Sequence, residues 1–526
     1  MKLRRLALAC ALFTVAVVMF GLPAASFAAA PSTPFNVLSD SYYHVDPVAG
    51  TMSVRVQATF YNNQSADLIA LPLWAMPNAT DIAVTAAGAT LPTKVTPFVA
   101  DFPTVVAATP AQPLKSGKKL DLVMTYNVPP QKTTLVSLSA GSIEAMFVSQ
   151  GKGSFILIDV PSTAENYFDP GCVPVADQPG DVTGSGYKRW VCGEILRAVF
   201  NRSDQTEAAC ANLEDRCRQN STLSPFSAYG QSISDAAARG LLEADVQLSQ
   251  KTIHLTFRFF KQNQTWADGV FATAQKSLPM LEKLFGNSYP TESLSIRQST
   301  FIEEVGALGI SYNTGGDVLI TPVGGDFDSE VIVHELAHQW AGGNLSSSWE
   351  AEGLAEYAMR TLAPQLGFTP SVRVWQGLGY NDNLALWDTS ANGDADYWYG
   401  KAGAFFFAYE KAIGGQANMT KVLAQTSPSS DRAPFDGKWF MDAGEDVSGA
   451  NLDSLFLQWV FNPQTAGPAV AERRTARDLV NTLTARGVTM GLTGTPKDVS
   501  DNLASWTFPP VADQVIQGNA VLDSYV

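Results

Sequence analysis

The sequence predicts a multidomain α+β fold, with an N-terminal β-sandwich-like domain followed by a mostly helical domain. Three observations carry this. The chain has 526 residues, more than one typical domain holds. Up to about residue 262, apolar and polar side chains alternate in runs such as Thr51 to Tyr61, the period of a strand with one buried face. Beyond Trp266 the apolar spacing becomes that of a helix.

Apolar residues make up 46% of the chain and charged residues 16%, a composition that can build a sizeable core. The formal charge of −15 speaks against nucleic acid or anionic lipid as the main partner.

Residues 1–30 read as a signal peptide. Lys2, Arg4 and Arg5 form a basic start, Leu6 to Leu22 is uncharged and apolar, and small residues at cleavage spacing end at Ala30. The chain is therefore expected to be exported: secreted, periplasmic or associated with the cell envelope. The alternative is an uncleaved N-terminal anchor, since Leu6 to Ala30 is just long enough to span a bilayer. No membrane partner is expected beyond this signal.

The β domain is expected over residues 31–262, with strands at Thr51–Tyr61, Leu120–Tyr126, Phe155–Ile158 and Thr252–Phe260. Within it, residues 170–225 are rich in Gly, Asp, Asn and Ser and hold Cys172, Cys192, Cys210 and Cys217. An even cysteine count in an exported chain predicts disulfides. Proximity favours Cys172–Cys192 and Cys210–Cys217 among three possible pairings. This stretch reads as an irregular, stapled insertion.

The helical domain is expected over residues 263–480. It opens with a helix at Ala272–Phe285 ending at Gly286, then strands at Leu294–Phe301 and Val318–Thr321. Asp326, Asp328 and Glu330 start the next helix, where negative charge suits the exposed amides. Residues 481–526 carry scattered Gly, Pro and Asp and read as a loosely structured tail.

The helix after Asp326 contains His334-Glu335-Leu336-Ala337-His338-Gln339-Trp340, an H-E-x-x-H motif. Residues four apart share one helical face, so both imidazoles can reach a single ion. Glu352 follows fourteen residues after His338 and can complete a two-histidine, one-carboxylate set. The chain holds four histidines and half of them fall in this motif. Together these residues predict one Zn²⁺ per chain on His334, His338 and Glu352, with Glu335 as general base for a hydrolysis.

These residues resemble the gluzincin zinc metallopeptidases of the aminopeptidase N and leukotriene hydrolase family. The H-E-L-A-H-Q-W run is matched by residues 334 to 340, and W-x-x-E-G-x-A-x-Y by Trp349 to Tyr357. The resemblance implies a thermolysin-like catalytic domain and peptide substrates. Tyr399, in Tyr399-Gly400-Lys401-Ala402-Gly403-Ala404, resembles the family's catalytic tyrosine, which donates to the oxyanion.

Two departures bear on this likeness. Only thirteen residues separate His338 from Glu352, fewer than the family usually has, while seventeen separate His338 from Glu356. Glu352 remains the ligand because it alone precedes the motif glycine. Glu356 is then either an outer partner of the site or a solvated helix charge. Second, the family's G-A-M-E-N stretch, whose glutamate holds the substrate's free amine, reads Gly306-Ala307-Leu308-Gly309-Ile310. Gly306 and Ala307 are expected to line the substrate strand. Glu303, Glu304 and Asp159 are the candidates for the missing amine anchor. An aminopeptidase is expected. An endopeptidase or oligopeptidase on the same site, and a non-catalytic binding protein retaining the fold, are the alternatives.

Overall fold

The computed structural model describes residues 36–97, 104–133, 135–151, 154–168, 172–175, 186–192, 225–234, 238–302, 307–312, 316–341, 345–371, 373–378, 380–390, 394–426 and 435–524. The signal peptide, Cys210 and Cys217 lie outside them. The chain divides into two compact units. One holds the described residues up to 245 with 253–272 and 293–332; the other holds those of 246–252, 273–292 and 333–526.

The first unit is built on sheets. An eight-stranded sheet runs, in spatial order, through Cys172–Val175, Tyr187–Cys192, Ile156–Pro161, Asn36–Asp46, Thr51–Tyr61, Lys119–Val128, Thr80–Ala86 and Ala89–Thr90. A five-stranded sheet runs through Glu165–Phe168, Pro225–Ile233, Ser142–Gln150, Val136–Ser139 and Gln131–Lys132. Their inner faces share one core that includes Val54, Val56, Phe60, Met124, Ile143, Phe147 and Ile158. The alternation in Thr51–Tyr61 becomes an alternation of burial, with Met52, Val54, Val56, Ala58 and Phe60 inside. Between the sheets, the Tyr43 hydroxyl donates to the Val148 carbonyl at 2.7 Å, and its ring meets Phe147 edge-on at 5.0 Å.

The expected irregular insertion at 170–225 is partly regular. Cys172–Val175 and Tyr187–Cys192 pair antiparallel at the edge of the eight-stranded sheet, with Cys172 opposite Cys192, and these two form a disulfide. A cross-strand pair brings two side chains close on one face, which is why this bridge can close.

Thr252–Phe260 does not end the β structure. It pairs in parallel with Ser293–Gln298, which pairs in parallel with Asp317–Ile320. These strands form a second five-stranded sheet with Arg239–Gln247 and Gly309–Tyr312. Parallel pairing needs a crossover, supplied between Thr252–Phe260 and Ser293–Gln298 by helix α1 (Gln264–Phe285). The division into units therefore follows this sheet and does not fall at a single cut after residue 262.

The second unit is helical. It contains the C-terminal half of α2 (Asp326–Ala341), then α3 (Ser348–Leu366), α4 (Ala395–Ala412), α5 (Gln416–Leu423), α6 (Gly437–Ser448), α7 (Asp453–Trp459), α8 (Pro463–Thr489), α9 (Lys497–Ala504) and α10 (Pro509–Asp523). The last three correct the expected tail over 481–526. Val480, Leu483, Val499, Phe508, Val511, Val515 and Leu522 bury one another in a separate apolar cluster. Their helical spacing was masked by Gly and Pro. Pro509 and Pro510 sit in the first turn of α10, where a missing N–H costs nothing, so they start a helix instead of breaking one. Among the described residues no helix is long and apolar enough to cross a membrane.

Candidate zinc site

The C-terminal half of α2 and helix α3, both in the second unit, supply the site. In α2, Ile332, Val333, Leu336, Ala337 and Trp340 are fully buried, which fixes the rotation of the helix. The Trp340 ring donates to the Asn287 carbonyl at 3.0 Å and stacks on Phe285. This leaves His334 and His338 on one face. Helix α3 ends at Gly367, whose φ of 85° is open to glycine at low cost. Its Gly353 packs against α4 so closely that a Cβ there would lie 2.9 Å from the Ala402 Cβ. The close crossing sets Glu352 and Glu356, one turn apart, against the histidines.

The Nε2 atoms of His334 and His338 are 3.2 Å apart. Glu352 Oε2 lies 3.0 Å from the first and 3.4 Å from the second. All three side chains are nearly enclosed. Donors set tetrahedrally at about 2.0–2.1 Å from a zinc ion stand roughly 3.3–3.4 Å from each other, so the spacing fits. The chemistry fits as well. Two imidazole lone pairs and a carboxylate converging in a buried place repel each other unless a cation joins them. Among the described residues this is the one group of three or more His, Cys, Asp or Glu side chains able to hold a metal.

The electrostatics follow from burial and proximity. Burial raises Glu335, against the pull of His338 and His334. Burial also disfavours the His338 imidazolium, but Glu352 outweighs it and lifts His338 to about 9. Burial would raise Glu352 too, yet the two histidines hold it well below the usual carboxylate range. Both shifts express a strong demand for positive charge beside Glu352. Tyr399 is 8% exposed; burial and then Glu352 push its hydroxyl well above the ordinary tyrosine value, against the pull of Arg373. It stays a proton donor at any ordinary pH.

Glu356 faces the other nitrogen of His334. Its Oε1 lies 3.6 Å from Nδ1, an electrostatic contact just beyond hydrogen-bond length, and the residue is 2% exposed. A carboxylate beside Nδ1 favours the tautomer with its proton there, which frees the Nε2 lone pair for a metal. Glu356 is thus a buried partner of the site and not a solvated helix charge. The same oxygen accepts from Arg373 Nε at 3.2 Å. Sequence reading missed Arg373, an isolated arginine in a segment without periodicity.

The remaining candidates belong to the first unit or lie outside the described residues. Asp159 is held by Arg189 on the neighbouring strand in a two-pronged ion pair of 2.7 and 2.8 Å. Ala307 is buried in the first unit, its N–H donating to the Ile302 carbonyl at 3.0 Å. Glu303, Glu304 and Gly306 lie outside the described residues.

The solved structures this chain resembles include M1 zinc metallopeptidases. The Deinococcus radiodurans M1 zinc metallopeptidase is 16% identical over 81% of this chain and 93% of its own, with a TM-score of 0.42. A point mutant of that same peptidase is 16% identical over 82% of this chain and 95% of its own, with a TM-score of 0.41. Legionella pneumophila aminopeptidase A in complex with aspartic acid is 11% identical over 83% of this chain and 50% of its own, with a TM-score of 0.46. No family model and no curated protein matches the sequence. The chemistry of the site rests on the side chains described above.

Proposed function

We propose that this chain is an exported zinc-dependent peptidase that removes residues from the N-termini of peptides. One observation carries the reading: the convergence of His334, His338 and Glu352 with the buried Glu335 beside them. His334 Nε2, His338 Nε2 and Glu352 Oε2 would hold one Zn²⁺. Zinc, when bound, supplies a Lewis acid that polarises a carbonyl and makes water acidic enough to attack at neutral pH. Glu335 takes the proton from the attacking water and returns it to the leaving amine. Its buried setting keeps bulk water from competing for that proton. The Tyr399 hydroxyl, held protonated, donates to the oxyanion that develops as the carbonyl carbon becomes tetrahedral. The basic start and apolar run of residues 1–30 support export.

A second reading has its own observation. Gly309 occupies the place where the resembled family carries its amine-binding glutamate. An endopeptidase or oligopeptidase needs no such anchor. The test is hydrolysis of a peptide with a free N-terminus against its acetylated twin, with zinc measured in the same preparation. A buried carboxylate anchor left unpaired by acetylation discriminates strongly. Aminopeptidase action predicts faster cleavage of the free peptide at its first bond. Equal cleavage at internal bonds favours the second reading. A protein that binds no zinc and cleaves neither peptide would overturn both.

A further inference from the structure

We propose that Arg373 is a positioning residue that aligns the zinc site and its oxyanion donor together, by bracing Glu356 and Tyr399 from one guanidinium plane. The inference rests on the peptidase reading for its chemistry but on the side chains for its geometry. Arg373 Nε donates to Glu356 Oε1 at 3.2 Å, and that same oxygen lies 3.6 Å from His334 Nδ1. The guanidinium carbon sits 4.8 Å from the centre of the Tyr399 ring. A third link runs from Nη1 to Asp396 Oδ1 at 3.0 Å, in the first turn of α4. A planar fork can hold a carboxylate at its edge and an aromatic ring on its face at once, which an ammonium cannot.

A partly exposed arginine between two carboxylates is often a surface ion pair of little consequence. Two observations oppose that here. Glu356 is 2% exposed and faces a metal ligand, so its partner is not a surface partner. The backbone is also built around the contact. A Cβ on Gly400 would lie 2.9 Å from the Arg373 carbonyl oxygen and 3.2 Å from its Cβ, and one on Gly403 would lie 3.1 Å from the Glu356 Cβ. Two glycines three residues apart on α4 thus admit the Arg373 main chain and the Glu356 side chain side by side. The arginine holds Glu356 in front of His334 Nδ1 and limits rotation of the Tyr399 ring.

The test uses the full chain and four variants: Arg373→Met, Arg373→Lys, Asp396→Asn and Gly400→Ala. Zinc affinity is read by competition with a chromophoric chelator. The imidazole nitrogens are followed by ¹⁵N labelling, which four histidines per chain permit. Steady-state kinetics are measured on the free-amine peptide. Arg373→Met is expected to weaken zinc binding about 10- to 100-fold, the usual effect of losing an outer partner of a metal ligand. It should also shift the Nδ1 resonance of His334 in the zinc-loaded protein, and lower kcat with KM little changed. Arg373→Lys should recover part of the zinc affinity and less of kcat, because charge returns without the flat face. Gly400→Ala keeps the guanidinium but displaces it, and should shift the same readouts in the same direction should Arg373→Met fail to fold. Asp396→Asn, on the exposed link, should stay close to wild type. Wild-type zinc affinity and an unchanged His334 spectrum in Arg373→Met would overturn the proposal. So would Asp396→Asn matching Arg373→Met in every readout, since the arginine would then only pin the start of α4. If the parent protein binds zinc but cleaves no peptide, the peptidase reading fails, and the affinity and imidazole-resonance arms still decide the role of Arg373.

Discussion

Glu352 Oε2 lies 3.0 Å from His334 Nε2 while Glu356 Oε1 lies 3.6 Å from Nδ1 of the same ring, so two carboxylates one helical turn apart grip opposite nitrogens of one imidazole. Their roles differ accordingly. Glu352→Ala removes a metal donor and should abolish most zinc binding. Glu356→Ala removes an orienting charge and should weaken zinc binding by about 10- to 100-fold. Metal analysis after dialysis against graded chelator separates the two. If Glu356→Ala strips the zinc and Glu352→Ala retains it, the assignment is reversed.

Glu335→Gln keeps the shape and burial of the side chain and removes the base. Zinc content and thermal unfolding should match wild type, while the rate falls about 10²- to 10⁴-fold. Undiminished turnover in a zinc-loaded Glu335→Gln protein would sink the general-base role.

The Cys172–Cys192 bridge joins residues twenty apart in sequence at a sheet edge of the first unit. Replacing both by serine should destabilise that unit by about 2–4 kcal/mol, the chain-entropy value for a loop of this size. Zinc content should not change, because the ligands belong to the second unit. Denaturant unfolding followed with metal analysis checks both halves. A double variant as stable as wild type would show that strand pairing alone holds the edge.

Alkaline pH should weaken the first unit through Tyr43. Burial pushes its hydroxyl up to about 12, against the opposing effect of the Val148 N–H that donates to its oxygen at 3.1 Å. An unfolded tyrosine loses its proton near pH 10, roughly. Below that pH both states hold the proton and the contribution is constant. Between the two values the unfolded chain releases a proton that the folded chain keeps, so stability falls as pH rises, by about 1.4 kcal/mol per pH unit for one proton. Tyr126, also raised by burial, adds a slope of the same sign. Tyr43→Phe should be less stable than wild type at pH 8 by about 1 kcal/mol for the lost hydrogen bond, and lose stability less steeply from about pH 10 to 11.5. Identical slopes would refute the account.

Much of the site was legible because its key spacings are local. The four-residue step from His334 to His338 places both rings on one face of any α-helix, and the apolar flanks say that the helix is buried. Strands such as Thr51–Tyr61 announce themselves the same way. The C-terminal helices did not, because Pro509, Pro510 and Gly518 read as breakers in isolation. In place, the prolines start α10, and Gly518 admits the Leu483 side chain, which would lie 2.9 Å from a Cβ there.

By itself, then, the sequence determined the local periods: the alternation that makes strands, the helix that pairs His334 with His338, and Glu335 between them. Tertiary structure decided what depends on distant segments meeting. It turned Glu352 toward both Nε2 atoms and Glu356 toward Nδ1, and it brought Arg373 onto Tyr399. It also joined Thr252–Phe260 to Ser293–Gln298 across a helical crossover. The reason is geometric. A helix or strand repeats every few residues whatever surrounds it, whereas the nitrogen a carboxylate faces depends on how closely two helices cross. Gly353, Gly400 and Gly403 set that approach in the second unit, and they act only once their partners are packed against them.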